Sequence, residues 1–247
     1  MWLIAEYRPV TLFSFRSGIA TSSGAKTLFL PTPFAIRTAL LDAAIRTNGL
    51  AAGPQAFDWI KRLSIAVRPP ERVAVTNLFA KILKPSRKEE TKHAMDRTIA
   101  FREYACFAGS VTLAFSMPED LANELTTLLA QVNYFGKRGS FFQLLRAPQK
   151  TTALPEDFVL MDGVYIQGTQ VNGKKPETFA AGLVQMMDDW GDTLTFAKAD
   201  IYTDEKIKPG TDRVRKGVIL PYRLVRASKS FSYYERLPSP FQERGRG

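Results

Sequence analysis

The sequence predicts an α+β fold built on a βαββαβ, ferredoxin-like (RRM-like) core, with an extended basic β-hairpin and a β-rich C-terminal part. Three observations carry this. Residues 1–145 read in the order strand, helix, strands, helix, strand. The two helical segments carry apolar stripes that an antiparallel sheet would bury on one face. A long polar and basic stretch, 84–97, interrupts the β-rich middle, and a polar excursion of that length between strands points to function more than to architecture.

The chain opens on a strand over 2–15, where Trp2, Ile4, Val10, Leu12, Phe13 and Phe15 are β-formers broken at Pro9. Residues 16–26, rich in Gly and Ser, read as a mobile loop. A helix follows with Thr32 as N-cap, Pro33 at the first helical position and Asn48-Gly49 as its stop. Phe34, Ile36, Leu40, Ala43 and Ala44 form its apolar face, with Arg37, Asp42 and Arg46 off that face.

Residues 57–67 and 73–83 read as two β-stretches paired around Arg68-Pro69-Pro70-Glu71, and 99–115 as a return strand. Ser116-Met117-Pro118-Glu119 has the spacing of a capping box ahead of Leu121, Leu125, Leu128, Leu129 and Val132, which repeat at helical spacing. Residues 134–140 read as a turn carrying Lys137 and Arg138 between glycines, and 141–145 as the strand leaving it. The boundaries expected are 1–150 for the core, with its hairpin at about 71–106, and 151–247 for a β-rich C-terminal subdomain. There, strands are expected at 158–167, 193–202, 217–226 and 231–237, with a helix over 176–190 and a frayed tail from Pro238.

Charge narrows the function. There are 34 Lys and Arg against 24 Asp and Glu, a net charge of +10 that favours a polyanionic partner. It is uneven: residues 72–102 carry +5 and residues 211–247 carry +6, leaving the rest close to neutral. One cysteine, Cys106, excludes an internal disulfide and a cysteine-rich metal site, and its apolar neighbours predict a buried, inert thiol. One histidine, His93, excludes His-clustered zinc and makes a Ser-His-Asp triad untenable. No GxxxxGK[ST] loop is present, and Asp188-Asp189, read as helical neighbours, point apart, so neither ATP use nor metal-dependent hydrolysis is indicated. No cofactor is expected. Glu6 and Arg8 interrupt the first apolar run, and no run elsewhere would span a bilayer, so a cytoplasmic protein without membrane contact is expected.

Three elements together resemble the fifth Cas family of the CRISPR-associated RAMP superfamily, over roughly residues 1–145. They are the proline-containing helix entry Leu30-Pro31-Thr32-Pro33-Phe34-Ala35-Ile36-Arg37, the Arg102-Glu103-Tyr104 strand behind a long basic hairpin at the position of the family's thumb, and the Gly-basic-basic turn Gly136-Lys137-Arg138-Gly139-Ser140. The sequence departs from the family at Thr38-Ala39, where a Gly-Ala pair is usual, and lacks an evident Gly-rich loop near the C-terminus.

The resemblance implies an RNA-binding structural subunit of a type I, Cascade-like effector complex in antiviral defence, which holds the 5′ handle of the crRNA and caps the backbone filament. It implies crRNA, a filament-forming backbone subunit and a large Cas subunit as partners, with target DNA near the PAM as a further candidate. It implies RNA contacts from Arg16, Arg37, Lys84, Arg87, Lys88, Lys92, Arg97, Tyr104, Lys137, Arg138 and Ser140, with Phe79 and Phe101 as further rings near the hairpin. Catalysis is not expected. The alternatives are a metal-independent endoribonuclease processing pre-crRNA, for which His93 is the one side chain of suitable unperturbed pKa, and an unrelated basic RNA-binding scaffold.

Overall fold

The computed structural model describes residues 1–18, 20, 24–86, 95–162 and 182–238, and its fold is α+β with strands predominating. Strand β1 (Trp2–Pro9) alternates as a half-buried strand should, with Leu3, Ala5 and Tyr7 fully buried. Short strands β2 (Phe15–Arg16), β3 (Gly24–Ala25) and β4 (Thr27–Leu28) follow, so the stretch read as a loop is partly paired. Helix α1 (Pro33–Asn48) has the expected cap: Thr32 Oγ1 accepts from the Ala35 amide at 3.2 Å. Gly49 ends it at φ +83°, donating to the Ile45 carbonyl at 2.8 Å.

Helix α2 (Gly53–Arg62) occupies most of a segment expected to be a strand. Its aromatic β-formers sit at helical spacing, with Ala56, Phe57, Trp59 and Ile60 buried, and tertiary packing overrides their β propensity. Phe57 stacks on Trp190 with ring centroids 4.6 Å apart. Strand β5 (Ser64–Arg68) then leads through Pro69-Pro70 into β6 (Arg72–Pro85), but the two are not a hairpin. β5 pairs with β8 (Val111–Ser116), and β6 pairs with β7 (Met95–Ala108), so the proline pair separates two sheets. The expected 99–115 strand is likewise two strands, β7 and β8, broken at Gly109, where φ is +100°.

The Ser116–Glu119 capping box does not form. Ser116 closes β8, Glu119–Leu121 make a 3₁₀ turn, and α3 (Ala122–Gln131) starts without a side-chain cap. Strands β9 (Phe142–Leu144) and β10 (Gln149–Thr151) return along opposite ends of β1, and β11 (Val159–Leu160) lies on β5. The first sheet therefore runs β10-β1-β8-β5-β11, all antiparallel, with β9 also on β1. β8 is its central strand, buried from Val111 to Phe115.

Beyond residue 150 the expected helix over 176–190 lies partly outside the described residues, and its described part is strand β12 (Leu183–Trp190). Its partner is β13 (Arg213–Leu220), in register from Leu183↔Leu220 to Trp190↔Arg213. The expected 193–202 strand is instead a short helix, α4 (Phe196–Ala199), capped by Thr195. The expected 217–226 strand divides at Pro221 into β13 and β14 (Tyr222–Ala227), and β15 (Phe231–Arg236) is the last strand among the described residues. The strand expected over 158–167 is described only in β11 and its neighbours.

The second sheet runs β14-β15-β6-β7-β3, so the C-terminal strands hydrogen-bond directly to the hairpin. One core cluster joins β1, the three long helices and β8 to Met187, Trp190, Val218, Leu220 and Tyr222. Cys106 is exposed: β7 alternates, sending Ala105 and Phe107 inward and Cys106 outward.

Two buried polar anchors tie these layers. The Tyr7 hydroxyl donates to the Leu129 carbonyl at 2.7 Å, joining β1 to the end of α3, and burial pushes its pKa up. Tyr7→Phe is expected to lower unfolding free energy by about 1 kcal/mol, read from urea denaturation, because this buried hydrogen bond is lost and the Leu129 carbonyl keeps only the Val132 amide at 3.3 Å. Asp212 is fully buried and accepts from Thr193 Oγ1 at 2.6 Å, Lys198 Nζ at 2.9 Å and the Lys208 amide at 2.8 Å. The Thr193 and Lys208 hydrogen bonds, then Lys198, pull its pKa from 3.8 to about 2. A carboxylate lowered on folding stabilises fully above 3.8 and loses that contribution as pH falls through about 2. Acid titration of unfolding should therefore show a shallower decline between those values for Asp212→Asn than for the parent chain.

Candidate nucleic-acid interface

A groove of about 700 Å³ opens where β2, the first turns of α1, the 134–137 turn and the side chains of Arg102 and Arg213 meet. Each wall is built locally. Tyr134 and Phe141 bridge the turn's two ends, and Phe135 is buried edge-on against Tyr7 and Phe142, both at 5.3 Å. Gly136 and Gly139 sit at φ +67° and +97°, a region that other residues enter only with strain. The result is a tight turn, closed by Ser140 N to Lys137 O at 3.1 Å, that leaves Lys137 and Arg138 exposed. Opposite, β2 holds Arg16 beside the N-terminal end of α1, where Phe34 is half-buried. The Arg213 guanidinium lies over the Phe34 ring at 4.4 Å and is hydrogen-bonded to the buried Asp188 carboxylate.

The groove is cationic. Arg16, Arg102 and Lys137 have no carboxylate partner among the described residues. The acids that line it are engaged: Asp42 pairs with Arg46 at 2.9 Å, and Asp188 with Arg213 and Arg215. Such a surface attracts phosphate while offering the Phe34 and Tyr134 rings close by.

The β6–β7 hairpin is the second basic surface. Its fourteen ladder pairs run from Arg72↔Ala108 to Pro85↔Met95. Among the described residues, β15 pairs with β6 as far as Thr76, and β3 touches β7 at Phe101 and Arg102. One face of the ribbon presents Phe79, Leu83, Met95, Ile99 and Phe101, each about half exposed, interleaved with Lys81 and Arg97. Phe79 and Phe101 are cross-strand neighbours, edge to face at 5.2 Å.

The residues expected to touch RNA divide accordingly. Arg16 and Lys137, 121 positions apart, share the groove, and Arg138 stands exposed on the same turn. Lys84 and Arg97 are exposed on the hairpin, and Tyr104 is half-buried nearer its base. Arg87, Lys88 and Lys92 lie outside the described residues, as does His93.

Two of these residues are buried. Ser140 is one, and its backbone shapes the turn. Arg37 is the other, at 5% exposure, donating to Asp189 at 2.9 Å and to the Ile60 and Leu63 carbonyls at 2.6 and 2.9 Å. Its donors are spent on capping the end of α2. Asp188 and Asp189 are not on a helix but on β12, facing opposite sides and each paired with cations.

Sequence reading missed Arg102, Phe34 and Arg213 as lining residues. Arg213 belongs to the basic 211–247 stretch, but only its pairing opposite Trp190 brings it to the groove. Among the described residues no cluster of three or more His, Cys, Asp or Glu could hold a metal ion. Among the same residues no helix is long and apolar enough to cross a membrane.

No family model matches the chain. It is 33% identical over 113 residues to the CRISPR-associated protein Cas5 of Archaeoglobus fulgidus, a stretch covering 45% of this chain and 50% of that protein. The match thus spans about half the length of the curated relative, which bears the name of the family whose motifs the sequence resembles. Among solved structures, a CRISPR protein from Archaeoglobus fulgidus aligns at TM-score 0.44 and 13% identity, covering 96% of this chain and 92% of that one. A chain of a CRISPR RNA-guided surveillance complex aligns at TM-score 0.45 and 16% identity, covering 97% and 90%.

Proposed function

We infer that the chain is a protein of the Cas5 family and an RNA-binding subunit of a CRISPR effector complex, holding the 5′ handle of the guide RNA and capping the backbone filament of a type I assembly. The observation that carries this reading is the groove in which Arg16, Arg102 and Lys137 converge, without carboxylate partners among the described residues, beside the half-buried rings of Phe34 and Tyr134. It is supported by the sequence likeness to a protein named Cas5. A handle of irregular shape is gripped by phosphate contacts and stacked bases, and groove and hairpin supply both chemistries.

The strand order β10-β1-β8-β5, with helices in the two crossovers, is what a ferredoxin-like core would give, and the β6–β7 ribbon corresponds to the family's thumb. Lys81 and Arg97 on one face of that ribbon, with the aromatic pair Phe79 and Phe101, would contact the same strand of RNA, and Lys84 would reach it from the other face. Backbone and large Cas subunits are the proposed protein partners. The chain binds and holds in this reading and does not cut: His93→Ala is expected to leave both RNA content and the 5′ end of the bound RNA unchanged.

The test is to co-purify the chain from its host and sequence the bound RNA. Short RNAs sharing one 5′ end, recovered with a filament-forming partner, are the expected result. Ribosomal or heterogeneous RNA would overturn it in favour of a general basic scaffold.

A further inference from the structure

Arg213 is held unlike the other cations that line the groove. It opens β13 opposite Trp190, and its guanidinium carbon lies over the Phe34 ring, 4.4 Å from the centroid. Its Nε donates to Asp188 Oδ2 at 2.9 Å, and its Nη2 donates to the same oxygen. The Asp188 side chain is 5% exposed, so water does not compete for that acceptor. The other Asp188 oxygen is buried without a hydrogen bond, and its nearest cation is Arg215 Nε at 3.6 Å. Ring and carboxylate together fix the plane of the guanidinium.

Fixed in this way, the Arg213 side chain is still 44% exposed and lines the groove. Phe34 covers one face and Asp188 fills the Nε–Nη2 edge. The surface left to the groove is the opposite face and the Nη1 side. Charge then separates its role from that of its neighbours. Arg16, Arg102 and Lys137 keep unshared charges for phosphate, whereas the Arg213 charge is already spent on a carboxylate. An arginine so paired contacts phosphate poorly, but its delocalised plane stacks on a base as an aromatic ring does. Holding that plane in advance removes much of the cost of ordering a long side chain on binding.

We propose that the Arg213 guanidinium is a stacking platform for one unpaired nucleobase of a single-stranded RNA, backed by Phe34, with Asp188 as the positioning residue that fixes its plane. Such a platform rests on the reading of the groove as an RNA site, and adds to it a base-dependent contact outside the phosphate-binding set. Stacking uses the face of a base and no hydrogen-bonding edge, so the contact selects single strands over duplex and accepts any base.

The test is an abasic scan. The probe is the single-stranded RNA that co-purifies with the chain, synthesised with an abasic ribose at one position at a time, so that every phosphate stays and one base goes. In the parent, the position on the platform should lose about tenfold in affinity when its base is removed. Arg213→Lys keeps the cation and loses the plane. It should bind the intact RNA about tenfold more weakly, and removal of that base should cost it nothing further. Its salt dependence should match that of the parent. Asp188→Asn should shrink the same abasic penalty without weakening the abasic RNA. If Arg213 served phosphate alone, loss of the Asp188 charge would tighten both RNAs equally and leave the penalty intact. Both variants are read well below their unfolding midpoints, and Arg213→Lys decides the matter if Asp188→Asn does not fold. Survival of every abasic penalty in Arg213→Lys would overturn the platform and leave the RNA reading standing. If no defined RNA co-purifies, the RNA reading falls and the platform falls with it.

Discussion

Asp189→Ala is expected to destabilise the protein by about 3–5 kcal/mol, among the largest effects any single substitution should have here. The Asp189 carboxylate is 4% exposed and binds Arg37 on one oxygen and Lys216 on the other, each at 2.9 Å. Its removal leaves the Arg37 guanidinium, itself 5% exposed, without its hydrogen-bonded counter-charge, with Asp162 acting on it only through space. Lys216 is a third exposed and can turn to water, so the cost falls on Arg37. Arg37→Ala should be damaging by another route, taking the guanidinium donor from the Leu63 carbonyl and leaving the Ile60 carbonyl only the Leu63 amide at 3.3 Å.

Because the two groups share one network, Arg37→Met with Asp189→Ala should cost much less than the single changes summed. Urea denaturation of the four chains gives the cycle. Additive effects would show that Arg37 and Asp189 do not act as a pair. Arg37→Lys adds a functional readout: below its midpoint of unfolding it should bind RNA as the parent does, since the side chain is sealed between α1, α2 and β12.

That residue marks where sequence reading runs out. The start and stop of α1 were legible, because Thr32-Pro33 and Gly49 act through local backbone geometry. The glycine turn at 136–139 was legible for the same reason. Arg37 was not, because its partner lies 152 positions away on β12, in a stretch whose spacing of Leu183, Met186, Met187 and Trp190 mimics a helix. Helix α2 was missed because Phe57, Trp59 and Ile60 suit a strand until the Trp190 ring stacked on Phe57 is known. For the interface, charge counting found the hairpin, and the family resemblance pointed to Arg16, Lys137 and Arg138. It could not find Arg213, whose place depends on the β12–β13 register. Neither charge nor resemblance separates a cation facing solvent from one neutralised inside, as Arg37 is.

Changing Arg16, Arg102 and Lys137 together to Ala is expected to weaken binding of a single-stranded handle RNA and to flatten its salt dependence by about two units of log–log slope, since each single-strand phosphate contact contributes about 0.7. All three side chains lie at the groove without carboxylate partners among the described residues, so stability should change by less than about 0.5 kcal/mol per site. The hairpin triple of Lys81, Lys84 and Arg97 to Ala is expected to flatten the slope by a similar amount. Their order of action separates two geometries. If one RNA strand runs through the groove and along the ribbon, within reach of cations on both its faces, the six-fold variant should lose about four units. If groove and hairpin bind separate strands, each triple should remove its share only from the RNA that uses that surface, and a short handle would report one of them alone. An unchanged slope in both triples would move the phosphate contacts to the other basic stretch, the β14–β15 strands with Arg223, Arg226 and Lys229, and would leave the groove without its proposed ligand.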